Sequence, residues 1–141
     1  MNMVREAEVV YGEKEIEVPD RIHSDSEVAQ VLRAYGIARK TQEHFVAICW
    51  DAQHRPVAVQ TVAIGTATSV GVHPRDVFRV AVMSGASAVI LGHNHPSGNC
   101  SESADDLALT RRMVAAGELL GIPVLDHVII TPNGDYTSLI P

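Results

Sequence analysis

Apolar positions along this 141-residue chain follow two periods that take turns. Val28, Val31, Leu32 and Tyr35 fall at helical spacing after Ser24-Asp25-Ser26-Glu27, a run with capping chemistry, and Gly36 stands near the end of that pattern. Strand-like apolar runs follow at about 43–50 and 56–64, joined by the polar stretch Asp51 to Arg55. His73-Pro74 opens a second predicted helix reaching about Ser84, with Val77, Val80 and Ala81 inward. Ala88-Val89-Ile90-Leu91 predicts a buried strand over about 87–93. A third helix is predicted over about 103–120, with Leu107, Leu109, Met113, Val114 and Leu120 apolar, stopped by Gly121-Ile122-Pro123. Two strands, at about 124–131 and 135–139, close the chain around the turn Pro132-Asn133-Gly134-Asp135. Val9, Tyr11, Ile16 and Val18, placed around Gly12, suggest a hairpin or edge pair over residues 4–18. Helices alternating with strands predict one layered α/β domain, a size long enough for a single core.

Composition changes this picture little. No apolar run approaches the length of a membrane span, and no basic-then-apolar leader opens the chain. Cys49 and Cys100 make no disulfide framework, so a reducing cytoplasm is the expected location. Charge is more informative. Residues 1–27 hold eight acids against three bases, a balance of −5, which leaves −1 of the total −6 for the rest. This acidic arm argues against a nucleic-acid surface there, and a solvated edge is its ordinary meaning. Arg33, Arg39 and Lys40 offer a small basic patch, as do Arg75, Arg79, Arg111 and Arg112, but aromatics are too few to interleave with either for base stacking.

The candidate chemistry lies in HNHPSGNCSESADD, residues 93–106. His93 and His95, at i and i+2 on a strand, project to one face. Pro96, Gly98 and Asn99 then break the strand into a loop. Asp106 follows in the first turn of the third helix. Two imidazoles and one carboxylate converging from a strand end and a helix start form a three-ligand Zn²⁺ site, with a fourth position open for water. Taken separately, His-x-His carries little weight, and Ser103-Ala104-Asp105-Asp106 also reads as a capping box. The joint pattern on strand, loop and helix is what points to metal. Ser103 can cap the helix and still present its hydroxyl to the site.

The spacing His93-x-His95-x7-Ser103-x2-Asp106 resembles the JAMM metal motif of the JAB/MPN metalloproteins. HNHPSG at 93–98, HPRDVFRVAV at 73–82 and LDHVII at 125–130 narrow the resemblance to the bacterial RadC-like branch, over roughly residues 21–141, with residues 1–20 as an acidic arm or edge strands. The resemblance implies a three-layer, cytidine-deaminase-like α/β fold, a mixed sheet flanked by helices. It also implies a zinc-dependent hydrolase with one Zn²⁺ per chain, of the kind that cleaves peptide or isopeptide amides. Protein or peptide substrates, a ubiquitin-like tail among them, are the partners it implies. The branch name implies DNA repair. The family pattern needs an upstream glutamate, and Glu43 fits, at the opening of an otherwise apolar strand where an unpaired carboxylate is expensive. The resemblance makes Glu43 the general base and Ser103 a hydrogen-bond donor to the developing oxyanion. An exposed strand-entry glutamate is the plainer alternative for Glu43.

Two positions depart from that pattern. Proline commonly precedes the motif serine and sits again two residues earlier; here Glu102 and Cys100 occupy those places. The expected consequences are a looser loop and added negative charge beside the helix start. Cys100 is read as an ordinary loop cysteine, with a thiolate reaching the metal as the lesser alternative. Around the site, His127 is a candidate hydrogen-bond partner of a ligand, against the commoner structural histidine. Ser97 is expected to stabilise the HPSG loop, with substrate contact as the minor reading. Thr110, one turn after Asp106, is placed to support its carboxylate. His23, His44, His54 and His73 lack ligand spacing. A metal-dependent nuclease or repair factor and a non-catalytic binding scaffold remain as other classes. A nucleobase deaminase is excluded by the missing H-x-E and P-C-x-x-C patterns.

Overall fold

The computed structural model describes residues 1–65 and 71–140. Five strands make one mixed sheet: β1 His44–Trp50, β2 Pro56–Ile64, β3 Ala88–Asn94, β4 Val124–Ile130 and β5 Tyr136–Ser138, in the order β2-β1-β3-β4-β5. β1 pairs antiparallel with both β2 and β3, β3 pairs parallel with β4, and β5 returns antiparallel on β4. The parallel pair needs a crossover, and helix α4, Ala104–Leu120, supplies it.

β1 and β3 are covered on both faces, which is why they read as unbroken apolar runs rather than as alternation. Phe45, Ala47, Cys49, Val89 and Leu91 face one core with Val77, Phe78, Leu109 and Met113. Val46, Ile48, Trp50, Ala88 and Ile90 face the other with Val28, Ala29, Val31 and Leu32 of helix α1, Asp25–Tyr35. The expected layered α/β arrangement is therefore present, with helix on both sides of a mixed sheet. The alternation fixes the site's location: His93 continues the Val89–Leu91 side and faces α4, while Asn94 turns toward the α1 side.

Two expectations need correction. Residues 4–18 form no strand; they run as an exposed arm whose Lys14 Nζ donates to Tyr35 O at 3.0 Å and lies 4.4 Å from the centre of the Tyr35 ring. A two-stranded hairpin is marginal by itself, and Val4, Val10 and Tyr11 of this stretch stay exposed rather than finding a surface to cover them. The helix expected over 73–84 is two pieces, α2 Pro74–Val77 and α3 Arg79–Ser84, divided at Phe78, whose ψ of −3° departs from the helical value.

Helix α4 packs closely against the chain that follows it. A Cβ placed on Gly117 would lie 2.5 Å from the backbone oxygen of Ile122 and 3.4 Å from the Phe78 ring. Backbone cannot yield as a side chain can, so Gly117→Ala is expected to destabilise the fold by about 1–3 kcal/mol, in the range of overpacking. Denaturant midpoints of the two proteins check this; an unchanged midpoint would mean that α4 shifts freely.

Candidate metal centre

β3 carries His93 to the end of the sheet, fully buried. β3 ends at Asn94, but His95 keeps pairing, its N–H donating to Ile130 O at 2.9 Å. This continuation keeps both imidazoles on the α4 side. Asp106 arrives from the first turn of α4 through a complete capping box: Ser103 Oγ accepts the Asp106 N–H at 3.0 Å, and Asp106 Oδ2 accepts the Ser103 N–H at 2.8 Å. One motif thus starts the helix and aims the carboxylate.

The three side chains converge. His93 Nε2 lies 3.1 Å from His95 Nε2 and 3.2 Å from Asp106 Oδ1, and His95 Nε2 lies 3.3 Å from Asp106 Oδ2. One donor atom from each of the three falls within 4.8 Å of the others. Cys100, half-buried in the loop, is not in this group. Atoms about 2.0–2.1 Å from a shared tetrahedral metal stand roughly 3.3 Å apart, so the separations suit a metal of that size.

The surrounding hydrogen bonds settle which nitrogens face the centre. Thr110 Oγ1 donates its only proton to Asp106 O at 2.8 Å. It must therefore accept at its 2.6 Å contact with His127 Nδ1, so that nitrogen carries a hydrogen. Burial, followed by the neighbouring His93, pushes His127 well below the ordinary histidine range, so it is neutral and its Nε2 is a bare acceptor. That acceptor takes the His93 Nδ1–H at 2.8 Å. His95 Nδ1 donates to Asn99 O at 2.8 Å. Both histidines are thus held with Nε2 directed at the cluster. Two such lone pairs 3.1 Å apart repel unless a proton or metal cation lies between them, and this is the arrangement that metal-binding histidines adopt.

Electrostatics agree. The hydrogen bond to Asp106 raises His95 above its ordinary value against the effect of burial, and Asn99 O and the negative charge of Glu43 act in the same sense as Asp106. For Asp106, burial opposes ionisation, but the hydrogen bonds with His93 and His95 outweigh it and hold the carboxyl well below the usual range. Asp106 is therefore the anionic point of the site, and a proton held between it and His95 occupies the place a metal cation would compete for.

Of the other predicted residues, Glu43 lies half-buried immediately before β1, close enough for its charge to act on His95. Thr110 bonds the main-chain carbonyl of Asp106, not the expected carboxylate, and it also receives His127. Ser97 Oγ accepts the Asn99 N–H at 3.3 Å and so steadies the loop whose carbonyl holds His95. Asn94 went unnoticed in the sequence. A carboxamide inside a buried apolar strand is a signal in itself, since a buried polar side chain must find partners.

Thr110→Val should keep the packing and break the relay, leaving His127 Nδ1–H against a methyl group. Zinc affinity is expected to fall about 10–100-fold, measured by competition with a chromophoric chelator. Unchanged affinity would show that the relay does not set the His93 tautomer.

The comparisons agree with the geometry. A family model described as the RadC-like JAB domain matches residues 22–140. Among curated relatives, a UPF0758 protein of Acaryochloris marina is 44% identical over 115 residues, 82% of this chain and 47% of that protein. Another, of Thermosynechococcus vestitus, is 46% identical over 118 residues, 84% of this chain and 46% of its own length. A third, of Desulforudis audaxviator, is 48% identical over 98 residues, 70% of this chain and 42% of that one. The chain spans about half the length of these curated relatives, whose names assign no activity. With the match running from just before α1 to the end of the described residues and including the whole His-His-Asp cluster, the chain belongs to the RadC-like JAB domain family.

Proposed function

We propose that this chain is a zinc-dependent amide hydrolase acting on a peptide or isopeptide bond. The observation that carries the reading is the relay from Thr110 through His127 to His93, which with Asn99 directs two imidazole lone pairs at the same point as Asp106. His93, His95 and Asp106 would hold the ion; two nitrogens and one oxygen suit Zn²⁺. When bound there, Zn²⁺ supplies Lewis acidity toward a carbonyl and acidifies water. Glu43 would accept the proton and return it to the leaving amine. The Ser103 hydroxyl, which accepts from the Asp106 N–H, still has a proton to give to a developing oxyanion.

β3 is the central strand, paired on both sides, so it offers no free edge to a substrate. A substrate would enter at the end of β3, between the 96–102 loop and Glu43. Among the described residues no helix is long and apolar enough to cross a membrane.

The test is mass spectrometry of zinc-loaded protein with isopeptide, peptide and nucleic-acid substrates side by side. Amide products are expected. DNA cleavage that is lost in both His95→Ala and Glu43→Gln, with no amide cleaved, would overturn the reading in favour of a nuclease.

A further inference from the structure

We infer that Asn94 is a positioning residue that fixes Glu43 in register with the metal ligands. This rests on the reading of Glu43 as the base. Asn94 sits between His93 and His95 yet points to the opposite face of the sheet, and it is fully buried. The β1–β3 ladder ends at the Phe45–His93 pair. Beyond that point the Asn94 side chain replaces the backbone. Its Oδ1 accepts the His44 N–H at 2.6 Å, and its Nδ2 donates to Lys40 O at 3.3 Å and to Gln42 O at 3.1 Å. These three bonds bracket Glu43, which has one bonded neighbour on each side. Its own carbonyl is also tied, accepting the Gly65 N–H at 2.9 Å.

The consequence follows from connectivity. His93 and His95 flank Asn94 in the chain, so the residue that grips the 40–44 segment shares a backbone with two ligands. The Asn94 side chain thus extends the Phe45–His93 pairing to the segment that carries Glu43 and adds a direct tie between that segment and the ligand strand. Helix α1 and its Ile37 core contact hold the start of the connecting segment, and Asn94 holds its end. A carboxamide is required because the segment offers one donor and two acceptors. Aspartate, of the same shape, would set an oxygen against two carbonyl oxygens.

Hydrogen exchange on the parent protein gives the first test. Both Asn94 Nδ2 protons and the His44 amide should exchange at least about tenfold more slowly than exposed amides. Fast exchange would overturn the clamp without any variant. In Asn94→Ala, the His44 amide should exchange about tenfold faster while zinc affinity stays within about threefold of the parent. Zinc loss equal to that of a ligand variant would show a general structural role instead. On a cleaved amide, Asn94→Ala should lower kcat roughly tenfold to a hundredfold with KM little changed, and the double variant with Glu43→Gln should be no slower than Glu43→Gln alone. Additive losses would overturn the assignment. A parent without hydrolase activity would sink the proposed function and leave the exchange and zinc measurements to decide the clamp.

Discussion

Glu43→Gln is expected to bind zinc like the parent and to hydrolyse amides about 10²–10⁴-fold more slowly, the usual contribution of a general base. The substitution keeps the shape and removes the carboxylate that would accept the proton. Glu43 is not one of the three converging ligand residues, so the ion should remain. Glu43 lies half-buried immediately before β1, and its negative charge acts on His95 in the same sense as Asp106. Metal analysis and a rate on one established substrate check both halves. A variant as fast as the parent would make Glu43 structural only.

Asp106→Ala is expected to abolish most zinc binding. Asp106 supplies the only anionic donor of the three, and its carboxyl is held ionised by His93 and His95. Without it, two neutral imidazoles remain. The same change removes the N3 half of the capping box, so a stability loss of about 0.5–2 kcal/mol should accompany it. Asp106→Asn separates the two effects: it keeps most of the local shape and a carbonyl acceptor for Ser103 N–H but loses the charge. Inductively coupled plasma mass spectrometry and a thermal melt on each variant measure them. Full zinc occupancy in Asp106→Ala would remove Asp106 from the ligand set.

The three residues of the His-His-Asp cluster were legible because each belongs to a local pattern. The strand period put His93 and His95 on one side, and the capping box put Asp106 at the start of α4. The buried strands were legible for the same reason, since continuous apolar runs survive reading without a partner. The inward face of α4 was less so. It is Asp106, Leu109, Thr110, Met113 and Gly117, a clean helical stripe in which only two residues are large and apolar. Leu120, one of the apolar residues of the predicted helix, is 48% exposed. Hydrophobicity cannot place Thr110 inward, because its reason for being there is His127, 17 residues further on and on another strand. Asn94 was missed on similar grounds: its partners lie at positions 40–44, some fifty residues earlier. The arm failed as a hairpin because alternation predicts a strand only where a second surface covers one face.

Anomalous diffraction at the zinc edge, from crystals of the zinc-loaded protein, tests the central claim most directly. One peak per chain is predicted, about 2.0–2.1 Å from His93 Nε2 and His95 Nε2 and at a similar distance from an Asp106 carboxylate oxygen. No peak at the cluster, or a fully occupied zinc bound elsewhere in the chain, would contradict the account.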